Sequence, residues 1–343
     1  NMTNSKPVIS CNNVWKLFGF APEKYLKTLS EDRSYEEIQA DGYIAGVKDV
    51  SVDVFEGEML VIMGLSGSGK STLLRCMSRL HDITGGTIKI DDQDIMALEE
   101  KELINLRRNK MGMVFQSFGL LPHRSVLENV AFPLEMRGQS KHDRRDRALE
   151  VIKLVGLEGR EDYFPRELSG GQQQRVGIAR SLAIEPDIWF LDEPFSALDP
   201  LIRREMQDEF LRLQDMLGKT IIFVTHDFDE ALRLADRIAI MKDGAIEQCD
   251  TPDKIVLNPA TDYVAKFTQE IDTARVVRAR TLMRAGAKKS ITGVALSANA
   301  TIQELARTIV NDARKEFPIE DEKGKIIGSM NRQEALDVLL GDK

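Results

Sequence analysis

Short, nearly continuous apolar runs recur along the first two thirds of the chain, each bounded by polar residues or glycine. The clearest of them are Glu58–Gly64, Asp187–Pro194, Thr220–Asp227 and Arg237–Gly244. Such runs are typical of strands buried on both faces of a parallel sheet. After Pro200, apolar residues recur at steps of three and four, which predicts an amphipathic helix that ends before Gly218. The alternation of the two patterns predicts an α/β core with helices on both faces.

Two segments interrupt this alternation. Residues of about 117–186 carry helical patterns and no convincing strand run, which predicts a helical subdomain inserted into the core. The charged segment Ala21–Gly46 lies between two predicted strands and is interpreted as a small helical insertion.

The pattern changes again after about residue 271. Thr301 and Glu304 form a capping-box signature before an amphipathic helix. A strand, a turn at Gly324 and a second strand follow, and then a helix that begins after Asn331. The chain is therefore predicted to contain a main α/β domain over residues 7–271 and a small α/β unit over residues 272–343.

Composition narrows the class of protein. The chain has 343 residues, 42% of them hydrophobic and 30% charged, as expected for a soluble protein of two domains or of one large domain with an appendage. Its net charge of -8 argues against a general nucleic-acid binder. The cysteines Cys11, Cys76 and Cys249 lack the spacing of a zinc site or a disulfide framework. No apolar run approaches the roughly 18–20 residues that a membrane-spanning helix needs.

The segment Gly64–Ser71 carries the strongest chemical signal. It fits the phosphate-binding pattern GxxxxGK[ST], and it follows an apolar strand and precedes a helix, as the motif requires. Its glycines allow backbone N–H groups to surround phosphates, and the helix adds its positive N-terminal end. Lys70 is predicted to reach the β- and γ-phosphates and Ser71 to hold Mg²⁺.

A pair of carboxylates ends another predicted strand. Asp192 and Glu193 follow the apolar residues of Asp187–Pro194, and ligands of doubly wound sheets bind beyond the carboxyl ends of the strands. Asp192 is predicted to support Mg²⁺, and Glu193 to orient and polarise the attacking water. An acidic loop without catalytic role is the alternative, which the neighbouring phosphate-binding motif disfavours.

Three further residues are candidates with open alternatives. Gln116 follows a strand and could reach the metal or the water, although a glutamine in that place is commonly a solvated turn residue. His226 ends a strand and could bond the γ-phosphate, or it could be a buried histidine with a satisfied side chain. Phe18 could stack on a nucleobase or belong to the core. The remaining histidines, His81, His123 and His142, are interpreted as surface residues.

A set of motifs occurs in the order and spacing of ATP-binding subunits of ABC transporters. The set consists of Gly64–Ser71, Gln116, Leu168–Gln172 ("LSGGQ"), the strand end with Asp192 and Glu193, Ser196–Asp199 ("SALD") and His226. The resemblance covers about residues 7–270, and LSGGQ is its most specific motif. It implies an ABC ATPase fold of the P-loop NTPase class, in which two subunits enclose two ATP molecules head to tail.

The resemblance also implies a role for each matching residue. Glu193, His226 and Gln116 are implied to be catalytic, and Ser71, Gln116 and Asp192 to hold Mg²⁺. The positions implied to bind ATP are Phe18, Gly64, Ser66, Gly67, Ser68, Gly69, Lys70, Ser71, Thr72, Ser169, Gly170, Gly171, Gln172 and Asp199. Each ATP is expected between the P-loop of one subunit and the LSGGQ of the other, because a single P-loop leaves the far side of the γ-phosphate in water.

Within the family, the chain resembles the ATPases of glycine betaine/proline importers. The insertion Ala21–Gly46, the P-loop flanks and the C-terminal unit, which looks like a single cystathionine β-synthase (CBS) motif, carry this resemblance. It implies a peripheral subunit on the cytoplasmic face of the inner membrane that powers uptake of glycine betaine, proline, choline or a related methylated amine. Its implied partners are a second copy of the chain, a transmembrane permease and, indirectly, a solute-binding protein, with no nucleic acid.

Two other functions are compatible with a nucleotide-binding domain. Relatives that act on DNA or ribosomes carry a long coiled-coil insertion or two nucleotide domains in one chain, and this sequence has neither. A purely regulatory module would need neither Glu193 nor His226, so their presence argues against it.

Overall fold

The computed structural model describes residues 6–30, 33–114, 119–269, 271–286 and 293–341. The chain forms two compact units, Asn1–Ile246 and Glu247–Lys343. The division lies 25 residues before the predicted boundary at 271/272, and each unit is described by itself.

The strands of the first unit form two sheets. Their bounds are β1 Pro7–Phe18, β2 Ile44–Phe55, β3 Met59–Met63, β4 Gly85–Ile90, β5 Gln93–Asp94, β6 Met111–Val114, β7 Ile188–Asp192, β8 Thr220–Thr225, β9 Arg237–Lys242 and β10 Ala245–Asp250. One sheet has the order β2-β1-β4-β5 and the other the order β10-β9-β3-β8-β7-β6. The division between the two units falls inside β10, the edge strand.

The helices of the first unit connect these strands. Their bounds are α1 Pro22–Leu26, α2 Tyr35–Ala40, α3 Lys70–Met77, α4 Glu100–Lys110, α5 Val126–Met136, α6 Lys141–Leu154, α7 Gly170–Ala183, α8 Pro200–Leu217 and α9 Phe228–Leu234. Between 119 and 186 the described residues contain α5, α6, α7 and a 3₁₀ turn at Pro165–Glu167, and no strand. The predicted helical character of this segment is thus confirmed for the residues that can be described.

The apolar runs of the sequence become the central parallel strands. Strands β3, β7 and β8 are buried along their whole length, and β9-β3-β8-β7-β6 pair in parallel. Helix α8 ends as predicted at Gly218, which has a φ of 57°. Phe210 on α8 contacts Trp189 of β7 and Phe223 of β8, so the apolar face of this helix covers the sheet.

Because the parallel strands run in one direction, the segments that follow them meet at one edge of the sheet. Residues Leu60 and Ile222 pair across β3 and β8, and Phe190 pairs with the same Ile222 from β7. The loops after β3, β7 and β8 are therefore neighbours. These are the loops that carry the P-loop, the two carboxylates and His226.

The second unit is a small α/β structure of its own. Its elements are α10 Pro252–Leu257, α11 Asp262–Thr268, α12 Thr273–Val276, α13 Ala279–Leu282, β11 Met283–Ala285, β12 Leu296–Ser297, α14 Ala306–Asn311, β13 Glu316–Glu320, β14 Ile326–Asn331 and α15 Arg332–Leu340. The sheet order is β11-β14-β13-β12. The predicted strand, turn and strand before α15 are confirmed, with Gly324 in the turn.

One predicted helix of this unit is shorter than expected. Thr301 and Glu304 make both hydrogen bonds of the predicted capping box, yet regular helix begins only at Ala306. The backbone N–H of Ile302 donates to Val277 O at 2.8 Å, and Thr301 forms a β-bridge with Arg278. These tertiary hydrogen bonds anchor the start of the segment, which forms a turn before the regular helix.

No helix within the described ranges is both long enough and apolar enough to cross a membrane.

Candidate functional site

The P-loop Gly64–Ser71 links β3 to α3, and its backbone requires glycine at both ends. Gly64 has a φ of +151°, and a Cβ there would lie 2.3 Å from Met241 O. Gly69 has a φ of +101°, and a Cβ there would lie 2.1 Å from Gly46 O. Residues with a side chain rarely adopt such φ angles, and a Cβ at either position would also clash with a backbone oxygen. The loop is thus a tight turn whose shape other residues cannot reproduce.

The P-loop leaves hydrogen-bonding groups available to an anion. The N-cap of α3 is Gly69, which has no side chain to satisfy the first N–H groups of the helix. In the described part of the chain, the buried Ser68 Oγ has no hydrogen-bond partner. Buried polar atoms are nearly always paired, so this hydroxyl fits a ligand that is bound in the loop.

Lys70 lies in the same cradle. Its side chain is almost wholly buried and donates a hydrogen bond from Nζ to Leu65 O at 2.9 Å. Burial lowers the pKa of Lys70, while the nearby Glu193 and Asp192 carboxylates raise it. A phosphate would add the negative charge that a buried ammonium group needs, so the residues fit a nucleoside triphosphate.

The rim of the loop is open. Ser66 and Gly67 are exposed, and a Cβ at Gly67 would meet no atom within 4 Å. Thr72, in the first turn of α3, is half-buried. These predicted nucleotide contacts lie beside Lys70 in the chain.

Asp192 ends β7 and reaches the start of α3. Its Oδ1 accepts a hydrogen bond from Ser71 Oγ at 2.7 Å, and its Oδ2 lies 3.5 Å from Nη2 of Arg75. The structure therefore joins two predicted metal ligands that are 121 positions apart in the sequence. Arg75 was not predicted; its position four residues after Ser71, on the same face of α3, is the signal that could have found it.

The oxygen atoms of Ser71 and Asp192 fit Mg²⁺. Across the residues described, no group of three or more His, Cys, Asp or Glu side chains could hold a metal by itself. Magnesium is usually bound by one or two protein oxygens together with substrate phosphates and waters, which is what this pair next to the P-loop allows. The third predicted ligand, Gln116, lies outside the described residues.

Glu193, the residue after Asp192, has an unusual backbone conformation. Its φ is 47°, in the left-handed region, and its N–H donates to Val224 O at 3.0 Å. Such a conformation costs a non-glycine residue about 1–3 kcal/mol and persists where the surroundings impose it. The half-buried carboxylate lies 3.2 Å from Nδ1 of His226, from Oε2 to the ring nitrogen. A carboxylate and an imidazole thus share the edge of the sheet with Lys70.

The structure excludes one of the two alternatives predicted for His226, the buried histidine. Its side chain is 57% exposed, so it is not a buried core histidine. It follows β8 directly and faces Glu193, which leaves much of the ring available to a substrate.

Phe18 stands at the end of β1 with its ring partly exposed, at 38%. His81 packs against it edge to face with ring centroids 6.0 Å apart, and Lys16 Nζ lies 5.1 Å from the Phe18 centroid. His81, which the sequence analysis interpreted as a surface residue, is partly exposed and has this ring as a partner. No local pattern in the sequence indicated the pair, since the contact depends on tertiary packing.

The signature motif Leu168–Gln172 forms the start of α7. Ser169 is the N-cap; its Oγ accepts from the Gln172 N–H at 3.3 Å, and Gln172 Oε1 accepts from the Ser169 N–H at 3.0 Å. Gly171 is buried, and a Cβ there would lie 2.6 Å from Cγ2 of Ile202. Gly170 is exposed, and a Cβ there would make only an ordinary contact of 3.5 Å with Leu198.

Asp199, the last of the predicted nucleotide-binding positions, caps a helix within its own chain. It is the exposed N-cap of α8, and its Oδ1 accepts from the Ile202 N–H at 3.1 Å. The cap explains an aspartate here without any ligand.

Comparison with known proteins agrees with this geometry. A family model described as "ABC transporter" matches residues 47–196. The chain is 75% identical over 97% of its length, and 97% of the relative's, to the trimethylamine N-oxide transport system ATP-binding protein TmoW of Ruegeria pomeroyi. It is 50% identical, over 82% of its length and 68% of the relative's, to the glycine betaine transport ATP-binding protein OpuAA of Bacillus subtilis.

A solved structure shares the fold. The ATP-binding cassette MJ0796, in a dimeric post-hydrolysis state bound to ADP and Pi, aligns with a TM-score of 0.59 and 37% identity. The alignment covers 71% of this chain and 98% of that one. On the strength of the P-loop geometry and these similarities, the chain belongs to the family of ATP-binding subunits of ABC transporters, the ATPases that power transport.

Proposed function

We propose that this chain hydrolyses ATP with Mg²⁺ as a head-to-tail dimer and thereby powers the import of a small methylated amine. One observation carries the hydrolytic part. The ends of three neighbouring parallel strands bring together Lys70 and Ser71, Asp192 and Glu193, and His226. A cation, a metal-ligand pair and a water-polarising pair are the groups that phosphoryl transfer requires.

In the proposed reaction, each side chain has a separate task. Lys70 neutralises charge on the β- and γ-phosphates, and the Ser68 hydroxyl and the α3 amides hold the phosphate oxygens. Glu193 orients a water and accepts its proton as the water oxygen bonds to the γ-phosphorus. The bond from that phosphorus to the β–γ bridging oxygen breaks, and ADP leaves with the electron pair. His226 orients the Glu193 carboxylate and bonds the γ-phosphate.

Mg²⁺ would be held by Ser71 and Asp192 and would neutralise phosphate charge when bound. The guanidinium of Arg75 lies 3.5 Å from Asp192 Oδ2, so Arg75 contacts the same carboxylate that would hold the cation.

The far side of the γ-phosphate would be closed by the partner subunit. Ser169 uses an oxygen lone pair for its own cap, so its hydroxyl proton remains available to donate to a phosphate. The N–H groups of Gly170 and Gly171 belong to the first turn of α7, where no helix carbonyl reaches them. Exclusion of water on closure would strengthen these interactions. The dimeric state of MJ0796 supports this arrangement by analogy.

We further propose trimethylamine N-oxide as the transported solute. The relative that is 75% identical over nearly the whole chain is named for this compound, whereas the relative named for glycine betaine is 50% identical. Both compounds carry a trimethylated nitrogen. A permease and a solute-binding protein would select the solute, and the chain would act at the cytoplasmic face of the membrane.

The hydrolytic proposal is tested by Glu193→Gln. Loss of the carboxylate should lower kcat by roughly 10²–10⁴-fold, the usual contribution of a general base. ATP affinity should be retained, and light scattering should show an ATP-dependent dimer. Normal turnover of the purified variant would disprove the assigned role of Glu193.

The solute is tested with the full transporter. The chain should be assembled with its permease and binding protein in proteoliposomes, and ATP-dependent uptake of trimethylamine N-oxide compared with that of glycine betaine. Faster uptake of glycine betaine at equal concentrations would overturn the choice of solute, while leaving the ATPase proposal intact.

A further inference from the structure

The insertion Ala21–Gly46 forms a small core that is shared with the end of β1. Ile38 of α2 is fully buried against Leu17 and Ala45. The partly buried side chains around this cluster are Trp15, Tyr25, Leu26, Leu29, Tyr35 and Tyr43. Leu17 directly precedes Phe18, so the packing of the insertion reaches the residue beside the proposed nucleobase contact.

Tyr43 lies at the centre of the connection between the insertion and the loop after Phe18. Its hydroxyl donates to Phe20 O at 2.8 Å. Its ring fills the space beside Gly19, where a Cβ would lie 2.4 Å from Cδ1 of Tyr43. The Phe20 side chain is 91% exposed, so burial of its own ring does not fix this loop. The described contacts that do fix it come from Tyr43.

Tyr43 is in turn held by the helices of the insertion. Its ring stacks on Tyr25 with centroids 3.8 Å apart and an interplanar angle of 10°. Tyr25 donates its hydroxyl to Asp41 Oδ2 at 2.7 Å, and Arg33 Nη2 lies 2.7 Å from the same oxygen. Burial and this hydrogen bond raise the pKa of Tyr25 to about 12, so its phenol remains a donor through the physiological range.

The far end of the insertion meets the ring of Phe18 itself. Phe18 pairs with Ile44 between β1 and β2. A Cβ at Gly46 would lie 2.7 Å from Cε2 of Phe18 and 2.9 Å from Cγ2 of Thr72. The segment therefore contacts Phe18 on one side and the first turn of the P-loop helix on the other.

We propose that the insertion is a brace that positions Phe18 for the nucleobase, and that Tyr43 is the positioning residue that connects the two. The inference rests on the proposed ATP hydrolysis and on the expectation, implied by the family resemblance, that Phe18 stacks on the base. Tyr43 touches the backbone of the loop and no proposed ligand, so it acts through Phe18. The brace affects how ATP is held and leaves the hydrolytic groups at β7 and β8 unchanged.

The test compares Tyr43→Ala with Tyr43→Phe in steady-state ATP hydrolysis. Complete loss of base–aromatic stacking is expected to raise KM roughly 5–150-fold. Tyr43→Ala weakens the stack only indirectly, so it should raise KM about fivefold, at the low end of this range, and leave kcat unchanged. Tyr43→Phe keeps the ring against Gly19 and should restore most of the affinity. Tyr35→Ala is the matched control, because Tyr35 packs on the same small core away from the Phe20 contact and should cost stability without raising KM.

A double variant decides whether Tyr43 acts through Phe18. Phe18→Ala should raise KM at least as much as Tyr43→Ala, and the combination should add nothing further. Additive effects, an unchanged KM in Tyr43→Ala, or an unchanged KM in Phe18→Ala would each overturn the inference. These outcomes differ from failure of the proposed function, which would appear as normal turnover of Glu193→Gln.

Discussion

Helices α3 and α7 both begin at a glycine-rich motif, but their first turns are satisfied in opposite ways. At α3 the N-cap is Gly69, which offers no side chain, and the neighbouring Ser68 Oγ lacks a partner among the described residues. At α7 the Ser169 and Gln172 side chains close a complete capping box. The P-loop is therefore arranged for a ligand, whereas the signature motif is stable without one.

This difference in capping explains how one chain can carry two motifs that are both proposed to bind phosphate. An uncapped helix N-terminus with a buried lysine favours an anion in the same chain. A capped N-terminus needs no anion, yet it still presents the Ser169 hydroxyl and an exposed Gly170 to whatever approaches from outside. Gly170 is not required by the packing of its own chain, because a Cβ there would make only an ordinary contact of 3.5 Å with Leu198. This absence of an internal reason supports contact with a partner's nucleotide.

Between the two glycine-rich motifs, the larger effect is expected at the P-loop. Lys70→Ala should weaken ATP binding by roughly 10–150-fold, because a hydrogen bond to a charged group contributes about 1.5–3 kcal/mol. Calorimetric titration with ATP measures the change, and the exposed Lys101→Ala serves as the matched control. Equal ATP affinity in Lys70→Ala and the control would remove the P-loop from the proposed site.

The two glycines of the capped motif should separate packing from function. Gly171→Ala should lower the free energy of unfolding by about 1–3 kcal/mol, because the new Cβ meets Ile202 at 2.6 Å. Gly170→Ala should leave thermal stability unchanged, yet lower ATP turnover about tenfold or more if a partner's phosphate approaches closely. Thermal unfolding and turnover are measured for both. Full activity of Gly170→Ala would contradict the proposed shared site.

Ser169→Ala should give a smaller, mixed effect. It removes the cap acceptor, which costs about 0.5–2 kcal/mol of stability, and it also removes the hydroxyl donor. Turnover should fall several-fold, an effect in line with the loss of one hydrogen bond. Ser169→Thr retains both groups and should behave like the parent chain in both measurements. If Ser169→Thr lost as much turnover as Ser169→Ala, the hydroxyl would not be the relevant group.

The smallest effect concerns pH. Burial lowers the pKa of Lys70, and the ammonium form binds phosphate, so ATP affinity should decline with rising pH before an ordinary lysine would lose its proton. Glu193 raises this pKa, so Glu193→Gln should move the decline to lower pH. ATP titrations across the alkaline range check both directions. A shift to higher pH in the variant would contradict the electrostatic coupling between the two residues.

Much of the core and of the site follows from local sequence. The apolar runs predict β3, β7, β8 and β9 because full burial of a parallel strand requires apolar residues on both faces. The P-loop and the Asp192–Glu193 pair each occupy one continuous segment, so their position at a strand end can be read directly. Ser169 and Gln172 likewise form a cap through residues three positions apart.

Other features were not predictable because they depend on contacts between distant segments. Arg75 and Asp192, and Phe18 and His81, meet only once strand register and helix packing are fixed. The division between the two units also depends on such contacts. Leu257 packs against the C-terminal core, although it precedes the boundary at 271/272 that the sequence pattern indicated.

Sequence alone thus identified the residues that are proposed to carry phosphate chemistry, because that chemistry depends on local backbone shape and on side chains within one turn. Tertiary structure decided what those residues contact and what supports them. The Tyr43 hydroxyl finds Phe20 O across 23 positions, and Ser71 finds Asp192 across 121. Contacts at such separations are set by the packing of whole strands and helices, which no short pattern encodes.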